Sequence, residues 1–321
     1  MNTDQNETLA PYREKFTRIY CGWLGLRLIP YFWRHLIYRP YFRDIPEVGY
    51  AFPKERKDRR LRMALYGAMY NILLDGYQEL SGSSLRAETG QFLFLVIDMT
   101  KKLDEFLDNQ LDLQHLPQLQ ETLATPSVGT QIDLLRRYVE TKHCAEPVFD
   151  YLNRLFGDHY DNYVQSLVRA RGANDFDAAL TAAQIDTGIW LAAVIDLVAM
   201  FNGNAMEADA REEFYWLGMV GKFADDMVDI SRDVAQKRLN LIHMLIQQQS
   251  DELANLYTAI DNKVRLSAKW WKERAPKTFS RYFEFIDSFY HHIKHEQLQF
   301  ACDLIVLPTL LGSDYDHDRS L

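Results

Sequence analysis

Two acidic stretches hold the side chains best suited to chemistry. The first, Asp104-Glu105-Phe106-Leu107-Asp108, follows the apolar run Leu93-Phe94-Leu95-Val96-Ile97. The second is Gly221-Lys222-Phe223-Ala224-Asp225-Asp226-Met227-Val228-Asp229-Ile230-Ser231-Arg232-Asp233. Carboxylates four residues apart share one face of a helix, and like charges there weaken it unless something neutralises them. Asp104 and Asp108 form one such pair. At about 100° per residue, Asp225, Asp229 and Asp233 form a stripe roughly 80° wide, with Asp226 about 20° beyond it. Phe223, Met227 and Ile230 supply an apolar face beside the stripe. A solvated acidic face would be laced with Lys or Arg at four-residue spacing. Here Lys222 stands four before Asp226, Arg232 lies off the stripe, and Lys237 and Arg238 follow a turn beyond Asp233. Hard oxygen donors of this kind suit Mg²⁺, which is usually shared with substrate phosphates. Metal held there would stabilise charge on a departing diphosphate. The competing reading is two exposed acidic helix faces with no ligand.

Helices must position these residues, because apolar residues recur at three and four spacing through most of the chain. The pattern predicts helices over Arg59 to Leu80, Ala87 to Asn109, Thr130 to Glu140, Asp175 to Phe201, Glu207 to Asp233, Ser250 to Trp271 and Lys277 to Leu304. Ser81-Gly82-Ser83-Ser84, the polar stretch Pro117 to Pro126, Gly157, Arg171-Gly172-Ala173-Asn174 and Phe201-Asn202-Gly203-Asn204 read as breaks, and Pro276 as a separator. No sustained two-residue alternation is bounded by hairpin turns, so a sheet is not expected. The fold class is all-α. A single domain over residues 1–311 is expected, with 1–55 as an irregular appendage and 312–321 as a flexible tail.

The 321 residues carry 36 Lys and Arg against 45 Asp and Glu, a net charge of −9. That balance argues against nucleic acid, whose binding depends on phosphate neutralisation. Three distant cysteines, Cys21, Cys144 and Cys302, form no zinc spacing and no disulfide framework, so a cytoplasmic location is expected. The first residues, MNTDQNETLAPYREK, are too polar for a signal peptide. The stretch Gly22 to Tyr38 holds Arg27, Pro30, Arg34 and His35, so no transmembrane segment is expected there. Its aromatic and basic content suits either a helix packed on the body or peripheral contact with a membrane. His291, His292 and His295 lie at helical spacing without a third ligand in evidence, and a hydrated face is the expectation.

The two acidic motifs, more than a hundred residues apart, resemble those of the class I isoprenoid synthases. That superfamily comprises terpene synthases, linear prenyl diphosphate synthases and squalene/phytoene synthases. The resemblance spans Arg59 to Leu304 in helix order and implies a helical bundle around a deep apolar cavity. It implies three Mg²⁺ ions with bound diphosphate, held by Asp104 and Asp108 and by Asp225, Asp229 and Asp233. All three positions of the second motif are Asp, whereas the bacterial terpene synthase form is Asn, Ser and Glu. Asp229-Ile230-Ser231-Arg232-Asp233-Val234 and the basic stretch after it are similar to squalene/phytoene synthases. A helix break is implied near Asp186-Thr187-Gly188, with no Arg at the diphosphate-sensing position. Arg169 and Arg171 are the nearest candidates. Arg281-Tyr282 is similar to a late Arg-Tyr pair of terpene synthases but stands closer to the second motif.

On this resemblance the first expectation is a terpene synthase cyclising a C15 or C20 prenyl diphosphate. The alternative is a prenyltransferase of squalene/phytoene type, and a non-catalytic helical scaffold is the second alternative. Substrate contacts are expected from Arg232, Lys237, Arg238, Arg169, Gly188, Phe94 and Trp190. Phe106, Phe201 and Phe223 are further wall candidates by position, each competing with plain core packing. A homodimer is in keeping with the superfamily.

Overall fold

The computed structural model describes residues 18–38, 41–52, 60–110 and 118–311. Helices dominate: α1 Arg18–Tyr38, α2 Arg60–Ser81, α3 Thr89–Gln110, α4 Leu119–Leu123, α5 Pro126–Thr141, α6 Ala145–Ala173, α7 Phe176–Ala183, α8 Trp190–Phe201, α9 Ala208–Ala235, α10 Leu241–Gln247, α11 Ser250–Asp261, α12 Ala268–Arg274, α13 Pro276–Tyr290 and α14 Glu296–Leu311. A π-helical segment, Gln184–Ile189, joins α7 to α8. Among the described residues the strand-like pairing is one isolated bridge, Ile45 with Tyr50. The all-α expectation holds.

The chain divides into two compact units that interleave in sequence. One comprises Met1–Leu26, Ser166–Gly188 and Trp216–Leu321, the other Arg27–Gln165 and Ile189–Tyr215. In the first unit, Phe223 packs on Phe285 and Phe289 at centroid distances of 4.8 and 5.3 Å. Glu252, buried on α11, accepts from the backbone N–H groups of Lys277 and Thr278 and from the Thr278 hydroxyl. Those amides have no partner within α13, so a buried carboxylate at its start satisfies them and complements the helix dipole. In the second unit, Phe92 of α3 stacks on Phe201 of α8 at 4.4 Å. Asn202 accepts from the Arg86 N–H and the Thr89 hydroxyl, tying the end of α8 to the start of α3.

Several boundaries differ from the sequence expectation. Gly157 does not break a helix but lies inside the 29-residue α6, exposed, where burial of the other face outweighs its poor propensity. The predicted helix from Ser250 to Trp271 is two helices. Its break uses Lys263 at φ 53°, with the Val264 N–H returning to the Ala259 carbonyl at 2.8 Å. Such a left-handed closure normally advertises itself by glycine, and lysine hides it. The helix predicted from Lys277 to Leu304 also breaks, at His291 to His295, where the chain turns to bury Ile293. The three histidines are therefore not on one helical face, and His292 stacks on Trp216 at 4.2 Å. The appendage is not irregular throughout, since it contains the 21-residue α1. The proposed tail, 312–321, lies outside the described residues. Phe176–Phe201 is long and apolar enough to cross a membrane by length and composition, and half of its most apolar window is buried in the protein.

Candidate functional site

The second acidic motif lies on α9, in the part of that helix that belongs to the first unit. Gly218, Lys222, Asp225, Asp229 and Asp233 follow one another at four, three, four and four residues, so they line a single face. The face begins at a close backbone contact. A Cβ on Gly218 would overlap the Thr187 carbonyl oxygen and stand 3.2 Å from the Gly188 Cα. Only glycine lets α9 approach the π-helical segment this closely. Thr187 in turn donates its hydroxyl to the Ala183 carbonyl at 2.6 Å. The helix does not break at Asp186-Thr187-Gly188 as expected but passes through this segment with π-helical turns, which recur at functional sites.

The four carboxylates of the motif divide into two pairs. Asp226 and Asp233 are buried and serve the fold. Asp226 accepts from the Leu241 N–H at 2.8 Å, at the start of α10, and pairs with Lys222 at 3.2 Å. Asp233 accepts from the Asn240 amide at 2.9 Å. Asp225 and Asp229 are reached by solvent. Asp225 is exposed, yet surrounding protein still pushes its carboxyl above the ordinary range. Burial, then the charges of Asp225 and Asp233, push Asp229 up to about 6 against the opposing pull of Arg232.

Cationic groups answer this charge. Burial works against the ammonium of Lys222, but Asp226, Asp186 and Asp225 outweigh it and hold the group well above its ordinary value. Burial pushes the Asp226 carboxyl up, against the opposing pull of Lys222 and the Leu241 N–H. Arg232 lies between Asp229 and Asp233 and bonds both, at 2.5 and 3.3 Å. Lys237 and Arg238 are exposed at the turn after α9, where Lys237 takes φ 55° and the Arg238 N–H returns to the Asp233 carbonyl at 2.8 Å. Sequence reasoning missed Asn240 and Gly218, and read Lys222 by its spacing from Asp226, the residue it pairs with. Asn240 had a readable signal, an Asn directly before the apolar run Leu241-Ile242, which is an N-cap pattern. Its side chain does accept from the His243 N–H.

The other predicted residues are placed as follows. Asp104 is exposed near the end of α3, in the second unit. Asp108 is on the same helix, and its side chain lies outside the described residues. Glu105 between them pairs with Lys102 at 2.7 Å. Arg169 pairs with Asp175, which caps α7, at 2.6 Å. Phe94, Phe201 and Phe223 are buried among other rings. Trp190 is half-buried and stacks on Phe156 at 5.9 Å.

The donor set on α9 is all oxygen, the chemistry of a hard divalent cation. Among the described residues, no three His, Cys, Asp or Glu side chains converge tightly enough to hold an ion alone. Asp225 and Asp229 are the accessible oxygen donors of this face. The described part of the protein is thus helical, with a row of carboxylates on one helix beside cationic neighbours. No protein-family model matches the chain, and no curated protein matches it. Two solved structures are similar to it. One is a polyprenyl synthase from Caulobacter crescentus CB15 complexed with calcium and isoprenyl diphosphate, at 16% identity and TM-score 0.46, over 74% of this chain and 83% of that one. The other is geranylgeranyl pyrophosphate synthetase from Pyrococcus horikoshii Ot3, at 10% identity and TM-score 0.46, over 74% and 84%. Similarity this slight carries no argument about activity, which has to be read from the residues.

Proposed function

We propose that the protein is a divalent-metal-dependent enzyme acting on prenyl diphosphates. The observation that carries the reading is the single face of α9, where Lys222, Asp225, Asp229 and Asp233 stand in register beside a backbone contact that admits only glycine. A merely solvated acidic face would not crowd its carboxylates enough to shift Asp229 to about 6. Asp225 and Asp229 would hold Mg²⁺, with Asp233 oriented behind them by Asn240. Bound metal supplies charge stabilisation to the departing diphosphate. Arg232, Lys237 and Arg238 would bind diphosphate oxygens, Arg232 by releasing Asp229. Lys222 keeps its proton through the cycle and holds the carboxylates in register. On the resemblance of the DxxxD motif, Asp104 and Asp108 of α3 would also bind metal.

The finer reading is the joining of two prenyl units. The all-aspartate stripe and the segment Asp229-Ile230-Ser231-Arg232-Asp233-Val234 favour it over the Asn, Ser and Glu pattern of bacterial terpene synthases. Cyclisation of a single prenyl diphosphate, the first expectation from sequence, becomes the second reading. It retains support from the late Arg281-Tyr282 pair.

The test is to incubate the purified protein with Mg²⁺ and C10, C15 or C20 prenyl diphosphates, with and without isopentenyl diphosphate, and to identify the extracts by gas chromatography–mass spectrometry. A lengthened or doubled carbon chain is the expected result. A cyclic product from one substrate alone would replace joining by cyclisation. No product under any condition would remove the prenyl diphosphate reading.

A further inference from the structure

The outward face of α1 carries four large apolar side chains. Trp23, Leu26, Ile29 and Trp33 are 48%, 65%, 46% and 56% exposed. On a regular helix the four fall within about 120° of arc. The other side anchors the helix. Leu24 is fully buried, Arg34 bonds both oxygens of Asp75 at 2.8 and 2.9 Å, and the Tyr31 carbonyl accepts from Asn71. Arg27 stands along one border of the apolar stripe, roughly 40° past Trp23, and Arg34, about 20° past it, reaches from that border to Asp75. Long basic side chains at such a border keep their charge in water while their stems cover apolar surface.

Charge along the chain shows what the stripe meets. Residues 1–62 hold 13 Lys and Arg against 7 Asp and Glu, a net +6. Residues 63–321 hold 23 against 38, a net −15. A chain that is acidic overall thus concentrates positive charge in the sequence on either side of its exposed tryptophans. An anionic bilayer answers both features, because tryptophan favours the headgroup layer and basic residues favour acidic lipid.

We infer that this face of α1 docks on the surface of an anionic lipid bilayer, with Trp23, Leu26, Ile29 and Trp33 entering the headgroup layer. The inference goes beyond the proposed reaction, and docking requires neither metal nor substrate, so the two fail separately.

The experiment is co-sedimentation of the full chain with vesicles of phosphatidylcholine alone or with about one-third phosphatidylglycerol, at low and high salt. A Trp23→Ala/Trp33→Ala double variant and a Val264→Ser control, at an exposed apolar site elsewhere, are run beside it, with circular-dichroism melts to verify folding. Binding is expected only with the anionic lipid, falling with salt, and falling about tenfold or more in the double variant but not in the control. Quenching of wild-type tryptophan by brominated lipid separates the same outcomes if the double variant fails to fold. The inference is overturned by absence of vesicle binding, by unchanged binding of the folded double variant, or by quenching no greater than in a bromine-free vesicle. Self-association without vesicle binding, lost in the double variant, would assign the face to a second copy and overturn it as well. Binding of an acidic protein partner in place of vesicles would do the same.

Discussion

The side-chain amide of Asn240 donates to the Asp233 carboxylate at 2.9 Å, and the same nitrogen reaches the Asp226 carbonyl at 2.8 Å. The last aspartate of the stripe is thus fixed by the residue that caps the next helix. Asn240 is buried, so solvent does not readily replace these bonds. Asn240→Ala should therefore cost about 2–4 kcal/mol, combining a lost cap with unsatisfied buried acceptors. Chemical denaturation measures it. Asn240→Asp should be no milder, since it sets a second carboxylate against Asp233. A loss below about 0.5 kcal/mol for Asn240→Ala would show that the bond does not order the site.

Gly218 and Gly157 are both helical glycines, and opposite outcomes are expected from the same change. A Cβ at Gly218 would overlap the Thr187 carbonyl, whereas one at Gly157 meets nothing within 4 Å. Gly218→Ala should lower stability by roughly 2 kcal/mol or more, because backbone must move to admit the methyl. Gly157→Ala should raise stability by about 0.5–1 kcal/mol through helix propensity. Thermal melts of the two variants provide the comparison, and equal effects would contradict the close contact between α9 and the π-helical segment.

These glycines also show what the sequence can and cannot reveal. Long periodic helices such as α2, α3 and α9 are legible to within a few residues, because burial of one face sets their period. Gly157 misleads, since a glycine on the exposed side of a long helix looks like a turn. Lys263 misleads in the other direction, ending α11 in a conformation that usually belongs to glycine. The four-residue spacing of Asp225, Asp229 and Asp233 is legible as a face. Which of the carboxylates are accessible is not. That division depends on Leu241 and Asn240 arriving from the next helix, a tertiary contact that spacing along α9 does not encode.

Asp229 gives a prediction for pH. Its carboxyl rises from the ordinary 3.8 to about 6, chiefly through burial and then through Asp225 and Asp233. A carboxyl raised in the folded state favours its protonated form there, so ionisation opposes folding. The penalty is absent below about pH 4, grows as pH rises through the interval to about 6, and is complete above it. After allowance for partial exposure it amounts to about 1–2 kcal/mol. Asp229→Asn should therefore raise the melting temperature at about pH 7.5, and the gain should shrink toward zero by about pH 4. A stabilisation independent of pH, or a destabilisation at neutral pH, would contradict the crowding of the stripe. The same group sets the acid limit of metal binding, which should weaken below about pH 6 as the proton competes for Asp229.

On the proposed reading, the α9 carboxylates act on a diphosphate ester through a divalent metal. Release of pyrophosphate from farnesyl diphosphate tests it most directly, with Mg²⁺ or excess EDTA, with and without isopentenyl diphosphate. Wild type, Asp225→Asn and Asp229→Asn are compared after each is shown to be folded. The expected result is release that requires Mg²⁺ and falls by about a hundredfold or more in each variant. Release that persists in EDTA, or that survives intact in folded Asp229→Asn, would contradict the claim.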